Sequence, residues 1–100
     1  MKEFSLVRIF NEIEAFRNEK FPEYGQLKTL HKLKEEVDEA IRELEESGQK
    51  DTYNLRMEYA DMLILLFGAW AYTGNSINKL LEATEHKMYI NKFRNWSEDD

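Results

Sequence analysis

The chain contains no cysteine, and that absence removes disulfide stapling, thiolate zinc sites and cysteine nucleophiles together. Any metal must then be held by oxygen or imidazole, and the composition fits a reducing cytoplasm. Proline occurs once and glycine four times, too few to punctuate a fold of many short strands and turns. No apolar run approaches the roughly 20 residues that span a bilayer. The longest, Met62 to Tyr72, reads as a buried helix, so no membrane partner is expected. Positive charge is scarce, with a formal net charge of −6, which argues against a nucleic-acid polymer as partner because such binders draw affinity from Lys and Arg. An anionic substrate would need a cation to mediate it. The start Met1-Lys2-Glu3-Phe4 lacks the basic and apolar stretches of a secretory signal, and a cytoplasmic location is the expectation.

What is present is the pattern of packed helices: one domain over residues 1–100, all-α and four-helix bundle-like. Leu6, Phe10, Ile13 and Phe16 mark an amphipathic first helix from Phe4 to about Lys20, broken by Phe21-Pro22-Glu23-Tyr24-Gly25. Leu30, Leu33, Val37, Ala40, Ile41 and Leu44 continue the same spacing through a second helix, from Leu27 to a stop at Ser47-Gly48. A third helix runs from about Leu55 to Tyr72. Ser76 is positioned to cap a fourth, carrying Ile77, Leu81, Thr84 and Met88 down to about Phe93, and the tail Ser97-Glu98-Asp99-Asp100 is expected to fray. Helix three is apolar nearly all round, and three partners in so short a chain cover it poorly. Part of its surface is therefore expected to meet another subunit, in a homodimer or homotetramer.

Two acidic doublets carry the chemical signal: Glu36 with Glu39 on helix two, and Glu58 with Asp61 on helix three, each spaced to share a helix face. On helix two, acids this numerous also describe a solvated surface. On helix three they are the only acids among Met57, Ala60, Met62, Leu63 and Leu65, and carboxylates in such a setting need a cation, a hydrogen bond or a metal. Arg56 is the ordinary salt-bridge alternative. If the two helices face each other, four carboxylates converge, and a hard dication such as Mg²⁺ answers their repulsion. Glu35, next to the first doublet, is placed to hold or deprotonate a water on that metal.

On the fourth helix Lys87, Asn91 and Arg94 follow one another at i, i+4 and i+7 and can grip a polyphosphate, or simply complement the C-terminal dipole. His31, one turn before Glu35, suits a base or phosphate contact or a partly buried structural role. Trp70 and the tyrosines read as core or interface, whereas Trp96, close behind Arg94, is the better stacking platform.

The sequence Glu35-Glu36-x-x-Glu39, an 18-residue gap, then Glu58-x-x-Asp61 resembles the signature of the MazG-like all-alpha nucleoside triphosphate pyrophosphohydrolases. The likeness is greater to their dATP/dGTP diphosphohydrolase branch, through Phe21-Pro22, His31-Lys32-Leu33-Lys34-Glu35-Glu36, Glu58-Tyr59-Ala60-Asp61-Met62-Leu63-Ile64-Leu65, and Lys87-Met88-x-x-Asn91-Lys92-x-Arg94-x-Trp96. The resemblance implies Glu36, Glu39, Glu58 and Asp61 as ligands of Mg²⁺, with Mn²⁺ as the substitute, and Glu35 as an aid to metal or water. It implies Lys87, Asn91 and Arg94 as phosphate or sugar contacts, with Trp96 and His31 as further substrate residues. The reaction implied is hydrolysis of a (deoxy)nucleoside triphosphate to monophosphate and pyrophosphate by a homo-oligomer that clears the nucleotide pool. The branch implies dATP and dGTP as the substrates.

Two other classes compete. A di-iron carboxylate bundle pairs Glu with His three residues on, but those positions here are Glu39 and Asp61. A non-catalytic helical module would bind a protein through the apolar face of helix three.

Overall fold

The computed structural model describes residues 3–96 and consists of four helices, α1 (Leu6–Lys20), α2 (Gly25–Ser47), α3 (Tyr53–Ala71) and α4 (Ile77–Phe93), with no strand among the described residues. The tail expected to fray lies outside the described residues.

Local chemistry fixes the helix ends. Ser5 caps α1 by accepting from the Arg8 amide at 3.3 Å, and Arg17 and Lys20 sit in its last turn, where their charge suits the helix dipole. Gly25 opens α2 at φ +82° and Gly48 closes it at φ +70°, a left-handed conformation that glycine adopts without a Cβ penalty. Helix two is thus longer than the apolar pattern predicts, starting two residues before Leu27. Thr52 caps α3 by accepting from the Leu55 amide at 3.0 Å while its hydroxyl donates to Glu43 at 3.0 Å, which ties the turn back onto α2. Ser76 has the extended backbone of a capping residue but its hydroxyl makes no capping bond. The start of α4 is instead tied to α3 through the Trp70 indole, which donates to the Ser76 carbonyl at 2.9 Å.

Helices α2 and α3 form the principal pair, an antiparallel hairpin. Its register follows from the turn: Thr52 meets Glu43, so two turns further along, Glu36 faces the level of Glu58 and Asp61. The core cluster lies where α1, α3 and α4 meet, built from Phe10, Ile13, Phe67 and Ile77 with Trp70, Leu80 and Leu81 against it. Phe10 and Phe67 meet edge to face with centroids 5.9 Å apart. The buried face of α1 is Phe10, Ile13 and Arg17, whereas Leu6 and Phe16, expected in the core, are exposed.

Helix α4 touches α1 and α3 lightly and does not reach α2. The bundle is therefore open, and its radius of gyration, 15.8 Å, exceeds the roughly 13 Å of a compact chain of 100 residues. Large apolar side chains face outward on all four helices, among them Phe16, Ile41, Leu63, Leu66 and Met88. No helix among the described residues is long and apolar enough to cross a membrane.

Because Phe10 is fully enclosed by three helices, Phe10→Ala is expected to destabilise the fold by about 3–5 kcal/mol. A urea titration followed by far-ultraviolet circular dichroism measures it, and a loss well under 1 kcal/mol would place the core elsewhere.

Candidate active site

The hairpin register brings Glu36 from α2 together with Glu58 and Asp61 from α3, with one carboxylate oxygen of each lying within 4.8 Å of the others. Glu36 and Glu58 are half-buried and Asp61 is exposed. Glu58 Oε2 is buried and has no hydrogen-bond partner. A lone pair so enclosed and unanswered is costly, and a hard cation among the three carboxylates would satisfy it.

The Glu36 carboxyl is pushed up to about 7, first by burial, then by a hydrogen bond its protonated form makes to Glu58, and then by the negative charges of Glu39, Asp61 and Glu58. Without a cation the cluster thus relieves its repulsion by taking up a proton. Glu39 is exposed on α2 and lies outside the three-carboxylate group, acting on Glu36 through its charge. Arg56 does not serve as the counter-ion weighed for helix three, because its guanidinium is held by both carboxylate oxygens of Asp51. Glu35 is exposed and pairs with Lys32 at 3.1 Å.

Beside the carboxylates opens a cavity of about 330 Å³, lined by Glu36, Asp61 and Lys32 together with Arg17, Phe21 and Tyr24. Ile64 and Leu65 of α3 complete it with apolar surface. Arg17 spans from α1 to α2, where Nη2 donates to Thr29 Oγ1 at 3.0 Å, and Thr29 in turn donates to the Gly25 carbonyl at 2.6 Å. Against α3 the same side chain packs on Gly68, where an added Cβ would stand 3.2 Å from Arg17 Nε. Tyr72 donates its hydroxyl to the Phe21 carbonyl and holds the α1–α2 turn onto α3.

Residues 11–100 match the family model described as dATP/dGTP pyrophosphohydrolase. The chain belongs to the dATP/dGTP pyrophosphohydrolase family. It is accordingly a hydrolase of the nucleotide pyrophosphohydrolase kind. No curated protein and no solved structure matches it.

For a pyrophosphohydrolase the remaining sequence-predicted residues are unevenly placed. Lys87 is exposed on α4, and Asn91 is half-buried with its Oδ1 enclosed and unpartnered; Arg94, expected on the same helix, is the exposed residue that ends it in an extended conformation. None of the three lines the cavity, because α4 does not reach α2. Trp96 is half-exposed; its indole donates to the Asn91 carbonyl at 2.8 Å and its ring lies 4.4 Å below the Arg94 guanidinium. His31 is exposed on α2 and away from the cavity, so neither the partly buried structural role nor a place among the lining residues applies.

Sequence reasoning missed Arg17, Tyr24 and Lys32 as cavity residues. The signal for Arg17 was present: it stands seven residues after Phe10 and four after Ile13, a cation in the apolar stripe of an amphipathic helix. Lys32 stands four residues before Glu36 on α2, a spacing that puts the two on one helix face, whereas Tyr24 carries no such mark.

The raised Glu36 carboxyl has a defined pH signature. The folded chain binds one more proton than the unfolded chain between the ordinary carboxylate value and about 7, so this group stabilises fully below that window and its contribution is lost as pH rises through about 7. The metal-free protein is expected to lose melting temperature from pH 5 to pH 8 relative to Glu36→Gln, which lacks the titrating group. Parallel melting-temperature profiles for the two proteins would show that Glu36 titrates normally.

Proposed function

We propose that this chain hydrolyses purine deoxynucleoside triphosphates to monophosphate and pyrophosphate with Mg²⁺, held by Glu36, Glu58 and Asp61 with Glu39 beside them, as a clearance activity on the nucleotide pool. The observation that carries the reading is the carboxylate triad across α2 and α3, with Glu58 Oε2 enclosed and lacking any partner. When bound, Mg²⁺ supplies a Lewis acid for the polyphosphate oxygens and makes water a better nucleophile near neutral pH. An all-oxygen donor set without histidine suits Mg²⁺ or Mn²⁺ better than a di-iron centre.

The chain's own groups supply the rest. Glu35, tethered by Lys32 next to the cavity, accepts the proton of the attacking water as the new oxygen–α-phosphorus bond forms and the bond to the bridging oxygen of pyrophosphate breaks. Glu36 must release its proton to ligate a cation, so metal affinity rises with pH through about 7. Lys32 lines the cavity beside the acids and offers the leaving group a positive charge.

Lys87, Asn91 and Arg94 enter through assembly. A single chain leaves them remote from the acids while exposing Leu63 and Leu66 on α3 and Met88, Tyr89 and Phe93 on α4. Contiguous apolar surface of this kind is normally covered by a partner. We read the protein as a homodimer, or a tetramer built from dimers, in which α4 of one copy lies across the α2–α3 hairpin of another and delivers the basic row to its phosphates.

Pyrophosphate release from dATP and dGTP, measured with Mg²⁺ and with EDTA, tests the reaction. Activity is expected only with the metal, and Glu58→Gln is expected to lower kcat at least about a hundredfold while the protein still folds, because it removes a charge the transition state needs. Equal turnover in EDTA would refute the metal assignment.

The composite site makes a separate prediction. Glu58→Gln and Arg94→Ala copies, each impaired alone, are expected to regain activity when unfolded and refolded together, since some mixed assemblies then hold one intact site. A mixture no more active than the sum of its components would confine each site to one chain.

A further inference from the structure

Arg17 is the only buried cation among the described residues, 6% exposed, and no carboxylate pairs with it. Of the five N–H donors of a guanidinium, only one, on Nη2, has a partner, and that partner is the neutral hydroxyl of Thr29. Nε is buried with none. The rings of Phe21, Tyr24 and Tyr72 surround the guanidinium carbon at 5.0, 5.3 and 5.7 Å, which offsets part of the desolvation cost but leaves Nε without a partner. A staple between α1 and α2 needs none of this, since an apolar side chain of similar length would fill the space without burying charge.

The position of the residue suggests what the unmet donor is for. Arg17, Phe21 and Tyr24 line the same cavity as Glu36 and Asp61. A nucleotide whose phosphates lie at the acids extends its other end along the cavity, toward a surface of aromatic rings, Ile64 and Leu65. That surface suits the flat, apolar faces of a nucleobase. Lys28 lies 5.0 Å from the Tyr24 ring and holds it from the solvent side.

Arginine donates and never accepts. The N7 and O6 edge of guanine offers two acceptors side by side, which a guanidinium can bind with two parallel bonds. Adenine sets an N6 donor beside N7, so one N–H of the cation would face another donor in a buried site, and that mismatch costs affinity. We propose that the Arg17–Phe21–Tyr24 wall is the base subsite and that Arg17 selects guanine over adenine. The proposal rests on reading the cavity beside the carboxylate triad as the nucleotide site.

Base binding is separable from metal chemistry, and the test uses that. Equilibrium binding of dGMP, dAMP, dCMP and dTMP to the full chain in EDTA is measured beside steady-state hydrolysis of dGTP and dATP in Mg²⁺. The expected result is dGMP binding about tenfold or more tighter than dAMP. Arg17→Lys is expected to erase that ranking. Tyr24→Leu, at a half-buried position of the wall, is expected to weaken both purines about tenfold and to raise KM with kcat unchanged. A purely structural Arg17 would change stability and leave the order of the bases alone, so an unaltered ranking in Arg17→Lys overturns the proposal. If Arg17→Lys does not fold, equal affinity of Tyr24→Leu and the parent chain for all four monophosphates overturns it. Guanine-selective binding by a chain that hydrolyses no triphosphate would uphold the subsite and remove the proposed reaction. Metal-dependent hydrolysis with no base preference would do the reverse.

Discussion

Three carboxylates within 4.8 Å of one another repel, and the α2–α3 hairpin holds them there against that repulsion. The force that does so is apolar: Ala40, Leu55 and Leu65 are buried along the hairpin, and the Thr52–Glu43 bond fixes its register at the turn. A shift of one helical residue would swing Glu58 away by about 100°, so the acids depend on packing that they themselves oppose. The strain appears as the proton that Glu36 retains up to about 7. In the function proposed for the chain, such a site exchanges a proton for a dication, which would couple metal binding to pH near neutrality.

Arg17 plays the complementary part in the lining of the cavity. It links α1 to α2 through Thr29, packs on α3 at Gly68, and is covered by three aromatic rings, so one side chain organises the turn between α1 and α2. Gly68 permits that approach, because a methyl group there would press on the guanidinium. The cavity therefore joins carboxylates of α2 and α3 to a cation and aromatic rings at the α1–α2 turn, with Lys32 of α2 also in its lining. A polarised nucleotide, with phosphates at one end and a flat base at the other, has the same asymmetry.

Most of the architecture could be read from the chain. Four helices, their order and most of their ends follow from apolar spacing and Gly48, since these are local effects of backbone conformation and side-chain period, whereas the Thr52 cap was not read from the chain. Two errors share a cause. Leu6 and Phe16 share helical spacing with Phe10 and Ile13, yet the packing of α1 against α3 leaves both exposed and buries Arg17 beside Phe10 and Ile13 instead. The doublets were legible because i, i+3 spacing places two acids on one face whatever surrounds them. Their convergence needed the turn length and the register of the hairpin.

The sequence by itself determined an all-helical chain without thiol chemistry, a family membership matched over residues 11–100, and the acidic doublets. These are properties of residue identity and short-range spacing. Tertiary structure alone decided that Glu36 joins Glu58 and Asp61 while Glu39 stands aside, that Arg56 is taken by Asp51, and that Arg17 and Tyr24 share a cavity with the acids. It also decided that Lys87, Asn91 and Arg94 lie far from the acids within one chain. Such distances depend on how whole helices pack, and packing is set by buried surface summed over many residues, which no short motif contains.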